Sequence, residues 1–181
     1  MATAALIPVS EYLQTTYRPD RDYVDGELKE RNVGETPHAT IQGWFVGIFL
    51  ANRNAWGVRA FPEQRVQVGE DNFRIPDVCV VRLGSPVGRI VRTPPLLCIE
   101  ILSDGQTLND MRDRVADYLR MGVENIWLVD PIRRRTWTVD GTADAIGFQD
   151  LDTFEFAISG TPIRIPLADI YQELDDLAAG L

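Results

Sequence analysis

Two acidic residues, Asp77 and Glu100, interrupt apolar segments that are typical of buried β-strands. Asp77 follows Pro76 and opens the run 77–81, and Glu100 lies inside the run 96–102. An ionised carboxylate in a buried strand is costly unless something compensates its charge. Two such groups at comparable places in consecutive strands suggest a shared divalent cation, and Mg²⁺ commonly takes one or two carboxylates together with waters and phosphate oxygens. The pair therefore predicts a metal site, formed by both acids, that supports hydrolysis.

Interpretations without a metal remain open for both acids. Asp77 could cap a strand or accept hydrogen bonds from backbone amides, and Glu100 could be the buried partner of Arg74 or Arg114. If a metal does bind, the backbone carbonyl of Ile101, directly after Glu100, is a further candidate ligand.

The hairpin sequence near the N-terminus supplies a third candidate acid. Asp25-Gly26 favours the positive φ angles of a type I′ turn, and Glu27 and Lys29 share one face of the strand that follows. Glu27 could bind the metal through water or position the attacking water, or it could be an ordinary exposed acid. Lys29, the only lysine, could reach the site from the same face, or it could be a solvated strand charge.

Periodicity in the rest of the chain predicts the elements that position these residues. Helices are predicted from Thr36 to about Gly57, over 107–121, and over 167–177. His38 lies early in the first of these helices, either as a surface or capping residue or near the site. The order strand, helix, strand over 96–129 predicts a right-handed crossover between parallel strands.

Composition limits the classes of partner. The chain has 181 residues, a length that suits one domain over residues 1–181. Its net charge of −9 argues against broad coating of nucleic acid, although a local basic groove remains compatible with this charge. No apolar stretch approaches the ~20 residues needed to cross a bilayer, and the N-terminus does not have the pattern of a signal peptide. Cys79 and Cys98 are expected to be buried thiols of a cytoplasmic protein.

Several motifs follow one another in a characteristic order, namely the segments 23–28, His38, 74–78, 100–103, 118–123 and 126–131. Taken together they are similar to the PD-(D/E)xK nuclease superfamily and, more closely, to its Uma-two family of endonucleases, over roughly Ser10 to the C-terminus. The resemblance implies an α/β fold with a restriction-endonuclease-like core, a mixed central sheet flanked by helices and an extra N-terminal hairpin. It also implies Mg²⁺, with Mn²⁺ as a substitute, DNA as the substrate and a homodimer.

The chain departs from the superfamily at its lysine. The motif would place this lysine two residues after Glu100, where the chain has Leu102. In the resembling family the matching position lies on the following helix and is Arg114 here. Arginine keeps the charge and can bind phosphate bidentately, but it does not readily give up a proton. The alternative is an ion pair with Asp110 on the helix surface.

These observations predict a Mg²⁺-dependent endonuclease that cleaves DNA. Its predicted catalytic residues are Glu27, Asp77, Glu100 and Arg114, of which Asp77 and Glu100 also bind the metal. A catalytically degraded protein that serves as a binding or interaction module is the alternative, favoured by the missing lysine and the acidic charge. Hydrolysis of a phosphorylated small molecule is a third possibility, because it would use the same metal chemistry.

Overall fold

The structure is a computed structural model that describes residues 6–31, 34–158 and 161–180. Residues 1–5, which include most of the segment considered as a signal peptide, lie outside the described residues. The helices in the described ranges are α1 (Val9–Gln14), α2 (Thr36–Ala51), α3 (Arg53–Trp56), α4 (Leu108–Met121) and α5 (Leu167–Ala179). The strands are β1 (Arg21–Val24), β2 (Glu27–Glu30), β3 (Val58–Pro62), β4 (Val66–Gln67), β5 (Phe73–Arg74), β6 (Val78–Arg82), β7 (Leu97–Ile101), β8 (Asn125–Asp130), β9 (Arg135–Thr142), β10 (Ala145–Asp150), β11 (Thr153–Ile158) and β12 (Thr161–Pro166).

A six-stranded mixed sheet with the strand order β10-β9-β8-β7-β6-β3 forms the centre of the fold. Strands β7 and β8 are parallel and are joined through α4, as the strand, helix, strand pattern predicts. The other neighbouring strands of this sheet are antiparallel. The predicted fold class, an α/β fold with a mixed central sheet flanked by helices, is therefore confirmed.

The inner strands β6, β7 and β8 are buried on both faces, and their side chains alternate between two apolar layers. One face packs against α2, α5 and the β11–β12 hairpin, where Trp127 stacks on Phe154 with ring centroids 4.0 Å apart. The other face packs against α4 and includes Cys98, Leu102 and Tyr118. Glu100 alternates with Ile99 and Ile101 of the first layer, so it points towards α4.

Local sequence signals explain where the main helices begin and end. At the start of α4 the side chains of Thr107 and Asp110 form a capping box, and Gly122 ends the helix in the left-handed region at φ 93°. The helix predicted from Thr36 to Gly57 is instead two helices, α2 and α3, which are separated at Asn52. Within the described ranges, no helix has both the length and the apolarity needed to span a membrane.

The predicted N-terminal hairpin is formed by β1 and β2 and belongs to a four-stranded sheet with the order β2-β1-β5-β4. Asp25 and Gly26 both have positive φ, at 51° and 84°, as a type I′ turn requires. Tyr23 on β1 packs with Tyr12 of α1 and Phe73 of β5, so this aromatic cluster joins the hairpin to the strand that precedes β6. The end of β2 is thereby positioned next to the start of β6.

Candidate active site

The register between β6 and β7 brings Asp77 and Glu100 together. The two strands are antiparallel and pair Val78 with Ile99, so the next position along the pair sets Asp77 opposite Glu100. Residues opposite each other in an antiparallel pair lie on the same face of the sheet. Their side chains are only 5% and 3% exposed, and both line one cavity of about 60 Å³.

The rest of the cavity lining comes from the end of β2, the start of α2, the loop after β7, and α4. A volume of about 60 Å³ exceeds the roughly 10–15 Å³ that a single water molecule needs by this measure. The cavity is therefore large enough for small ligands at the two carboxylates. Its other lining residues are Glu30, Arg31, His38, Ile101, Ser103, Gln106, Met111 and Arg114.

Asp77 is surrounded by donors that favour its ionised form. Arg31 Nη2 donates to Asp77 Oδ1 at 2.7 Å, the backbone N–H of Ile101 donates to Oδ2 at 2.7 Å, and His38 Nε2 lies 3.3 Å from Oδ2. Burial disfavours the charge, but the hydrogen bond with His38 and the charge of Arg31 outweigh it and lower the pKa of Asp77. Burial likewise opposes the charge of His38, whereas the hydrogen bond and charge of Asp77 raise its pKa.

Glu100 differs from Asp77 in its ionisation. Arg114 Nη1 donates to both carboxylate oxygens, at 3.2 Å from Oε1 and 3.0 Å from Oε2, and the hydroxyl of Tyr118 donates to Oε1. Burial nevertheless raises the pKa of Glu100 to about 7; the charge of Arg114 opposes this rise, and the charge of Asp77 adds to it. The two acids therefore interact electrostatically, and Glu100 changes its protonation near neutral pH.

Arg114 connects Glu100 to a second buried acid, Asp22 on β1. Arg114 Nη2 lies 2.9 Å from Asp22 Oδ2, and Asp22 also pairs with Arg74 Nη1 at 3.1 Å and accepts from the backbone N–H of Ile75 at 3.0 Å. Burial disfavours the charge of Arg114, but the charges of Glu100 and Asp22 raise its pKa well above the ordinary value. Of the two partners that the sequence left open for Glu100, the structure selects Arg114.

Of the two alternative partners that the sequence offered, Arg74 joins this charge network and Asp110 does not. Asp110, the alternative partner of Arg114, instead accepts hydrogen bonds from the backbone and hydroxyl of Thr107. Arg74, the alternative partner of Glu100, contacts Asp117 through Nε at 2.8 Å in addition to Asp22. Asp22 was not predicted from the sequence, although an acid between strand residues of a hairpin is a signal that could have indicated it.

The structure does not bring Glu27 or Lys29 into the cavity lining. Glu27 lies beside the turn at the start of β2, and its carboxylate pairs with Lys29 Nζ on the exposed surface. The cavity lies instead at the other end of this strand, where Glu30 and Arg31 contribute to it. Arg31 gave no recognisable sequence signal, because a single arginine after a polar strand is typical of a solvated charge.

The two carboxylates suit a hard divalent cation. The described residues contain no group of three or more His, Cys, Asp and Glu side chains that could hold a metal, but Mg²⁺ needs only one or two protein carboxylates. A carboxylate oxygen has two lone pairs. Asp77 Oδ1 and Glu100 Oε2 each accept one hydrogen bond in the contacts described above, which leaves each a lone pair. The donor set therefore fits Mg²⁺ or Mn²⁺.

The α/β fold that surrounds this cavity is also the fold of a solved structure. The structure is similar to the crystal structure of a protein described as a "putative nuclease belonging to DUF820" from Anabaena variabilis ATCC 29413, with a TM-score of 0.76 and 21% sequence identity. The similarity covers 93% of this chain and 99% of that one. At this identity the similarity concerns the fold.

The family follows from the sequence itself. Residues 9–142 match the Uma2 family, which is described as "Putative restriction endonuclease". The chain belongs to this family, and the predicted family is confirmed. A comparison with curated proteins gave no match.

Proposed function

We propose that this protein is a Mg²⁺-dependent endonuclease that hydrolyses phosphodiester bonds of DNA. The observation that carries the proposal is the meeting of Asp77 and Glu100 in one buried cavity of an Uma2 family member. These two carboxylates would hold the ion, with Mn²⁺ as a substitute. When bound, the ion supplies a site that activates water and neutralises charge on the phosphoryl group.

The surrounding residues would orient the two carboxylates. Arg31 and the Ile101 N–H fix the orientation of Asp77, while Arg114 fixes that of Glu100. Arg114 also contacts Asp22 and the carbonyl of Ile75, at 3.3 Å, so its donors are directed at the protein itself. In this proposal Arg114 acts through Glu100 as a positioning residue. The participation of Glu27 in holding water stays a prediction of the sequence, whereas its place outside the described cavity lining supports the opposite expectation.

A specific observation favours a second candidate, a binding or interaction module without catalysis. Each buried acid already has an arginine partner, Asp77 with Arg31 and Glu100 with Arg114. Such pairs compensate the carboxylate charges without a metal. The described lining of the cavity contains no lysine, the residue that the superfamily motif would supply.

A cleavage assay distinguishes these candidates. Labelled duplex and single-stranded DNA, RNA and a bis-aryl phosphodiester are incubated with the protein in Mg²⁺, Mn²⁺, Ca²⁺ or EDTA. The proposal predicts metal-dependent DNA cleavage that is abolished by Asp77→Asn or Glu100→Gln. It also predicts that cleavage is retained in Asp150→Asn, since this acid is 63% exposed and pairs with Arg135 at the surface.

The outcomes assign the function. Absence of cleavage with every substrate and metal would contradict the nuclease proposal and favour the module. Cleavage of the small diester alone would favour a small-molecule phosphodiesterase instead.

We further propose that the protein acts as a cytoplasmic homodimer. Cutting both strands of a duplex requires two sites, which two copies of the chain would supply. Cys79 and Cys98 are buried free thiols, and free thiols are usual in a reducing compartment. Light scattering in solution tests the dimer, and a monomer with and without DNA would contradict it.

A further inference from the structure

Arg31 has a buried donor that nothing in the described part of the chain satisfies. Its side chain is only 10% exposed and lines the cavity, and its Nη2 donates to Asp77 Oδ1 at 2.7 Å. Its Nη1 is buried and has no hydrogen-bond partner within the described ranges. A buried donor without a partner is destabilising, so a ligand that supplies an acceptor would satisfy it.

The other two basic side chains of the described cavity lining are directed at the protein. Arg114 contacts Glu100, Asp22 and the carbonyl of Ile75. His38 Nε2 lies beside Asp77 Oδ2. Arg31 Nη1 is therefore the donor best placed to contact a ligand in this cavity.

The planar guanidinium makes this placement specific. Its nitrogens have a fixed geometry, so the bond from Nη2 to Asp77 also fixes the direction of Nη1. Arginine binds phosphate oxygens through strong, charge-assisted hydrogen bonds. Since Arg31 lines the same cavity as both candidate metal ligands, its guanidinium suits an anionic oxygen that contacts the bound cation and the arginine together.

We propose that Arg31 is the substrate-binding residue of this site and that its Nη1 donates to a non-bridging phosphate oxygen of the DNA backbone. This inference rests on the proposed nuclease function and adds the residue that contacts the substrate. The superfamily lysine is absent from the strand of Glu100, and Arg114 is engaged with buried acids. Arg31 thus supplies the positive charge that faces the phosphate.

DNA binding without cleavage tests the assignment. The affinity for a fluorescein-labelled duplex is measured by anisotropy in EDTA and in Ca²⁺, over a series of salt concentrations, for wild type, Arg31→Gln and Arg31→Lys. The control Arg164→Gln removes the same charge from an exposed pair with Glu155. The EDTA series separates a direct contact of Arg31 from an effect through metal bound at Asp77.

Arg31→Gln is expected to bind about tenfold more weakly in EDTA, and the slope of log affinity against log salt is expected to fall by about 1, because one phosphate contact is lost. Arg31→Lys is expected to keep the slope and to lose about threefold in affinity, since it retains the charge but not the fork. Arg164→Gln is expected to bind within about twofold of wild type, because its charge lies away from the cavity.

The outcomes separate this inference from the function on which it rests. If wild type binds and cleaves DNA while Arg31→Gln and Arg164→Gln bind equally well in EDTA, the Arg31 assignment is wrong and the nuclease proposal stands. If Arg31→Gln loses affinity only in Ca²⁺, Arg31 acts through the metal site, and the direct contact is wrong. If wild type neither binds nor cleaves DNA, both proposals are wrong. If Arg31→Gln does not fold, wild-type affinity in Arg31→Lys overturns the assignment.

Discussion

Arg114 Nη1 donates to both carboxylate oxygens of Glu100, at 3.2 Å and 3.0 Å. The same guanidinium reaches Asp22 through Nη2 at 2.9 Å. One cation on α4 therefore compensates two acids from two different sheets, one on β7 and the other on β1. This shared compensation connects the stability of the fold to the candidate site.

Replacing Arg114 is expected to destabilise the protein strongly. Arg114→Gln would leave two buried carboxylates without their shared cation, and breaking a buried pair in this way typically costs about 3–5 kcal/mol of the free energy of unfolding. Arg114→Lys should cost less because the charge is kept. Urea unfolding measures both effects. The control Arg164→Gln, from an exposed pair, should change stability by at most about 1 kcal/mol. Equal stability of Arg114→Gln and this control would contradict the prediction.

The pKa of Glu100 predicts a pH-dependent stability. Burial raises this pKa from an ordinary value of 4.5 to about 7. The charge of Arg114 opposes the rise, and the charge of Asp77 adds to it. A carboxyl group that binds its proton more tightly in the folded state contributes stability that is complete below its unfolded pKa. This contribution is lost as the pH rises through the folded pKa.

Glu100→Gln isolates this contribution because it removes the titration. The free energy of unfolding of wild type minus that of Glu100→Gln should decrease by roughly 3 kcal/mol between about pH 4 and pH 8, since each pKa unit corresponds to about 1.4 kcal/mol. Urea unfolding in EDTA across this range provides the measurement. A difference that stays constant or increases with pH would show that the fold does not raise this pKa.

Divalent metal is expected to stabilise the protein through Asp77. At a concentration about 100 times its Kd, a ligand that binds only the folded state adds about 2.7 kcal/mol to the free energy of unfolding. Mg²⁺ or Mn²⁺ should therefore raise the Tm of wild type and of Asp150→Asn, and EDTA should reverse the effect. Asp77→Asn should lose it. An equal rise in Asp77→Asn would place the metal elsewhere.

The structure predicts little dependence of cleavage on Glu27. Its carboxylate pairs with Lys29 at the exposed start of β2, outside the cavity lining. Glu27→Gln is therefore expected to keep the cleavage rate within about threefold of wild type and stability within about 0.5 kcal/mol, whereas Glu100→Gln should abolish cleavage. Single-turnover assays compare the two variants. A tenfold or larger loss in Glu27→Gln would instead support its sequence-based assignment to the site.

The elements predicted most successfully from the sequence depend on local patterns. The Asp25-Gly26 turn follows from the positive φ angles that a tight hairpin requires, and the end of α4 follows from Gly122. The hairpin and the parallel crossover were predicted from such local patterns, and the family was predicted from short motifs in a characteristic order. The interval from Thr36 to Gly57 was less predictable, because nothing in its apolar periodicity marked the break at Asn52.

The sequence alone indicated that Asp77 opens one apolar run and that Glu100 interrupts the next, because a strand's side-chain period and apolar pattern depend on adjacent residues. Only the tertiary structure decided which charges face them. Arg31 is 46 residues from Asp77 along the chain, and Asp22 is 52 residues from Arg74. These contacts depend on the packing of the N-terminal hairpin against the central sheet. Such packing sums many distant contacts, so no local pattern could distinguish Arg31 in the cavity from Lys29 at the surface.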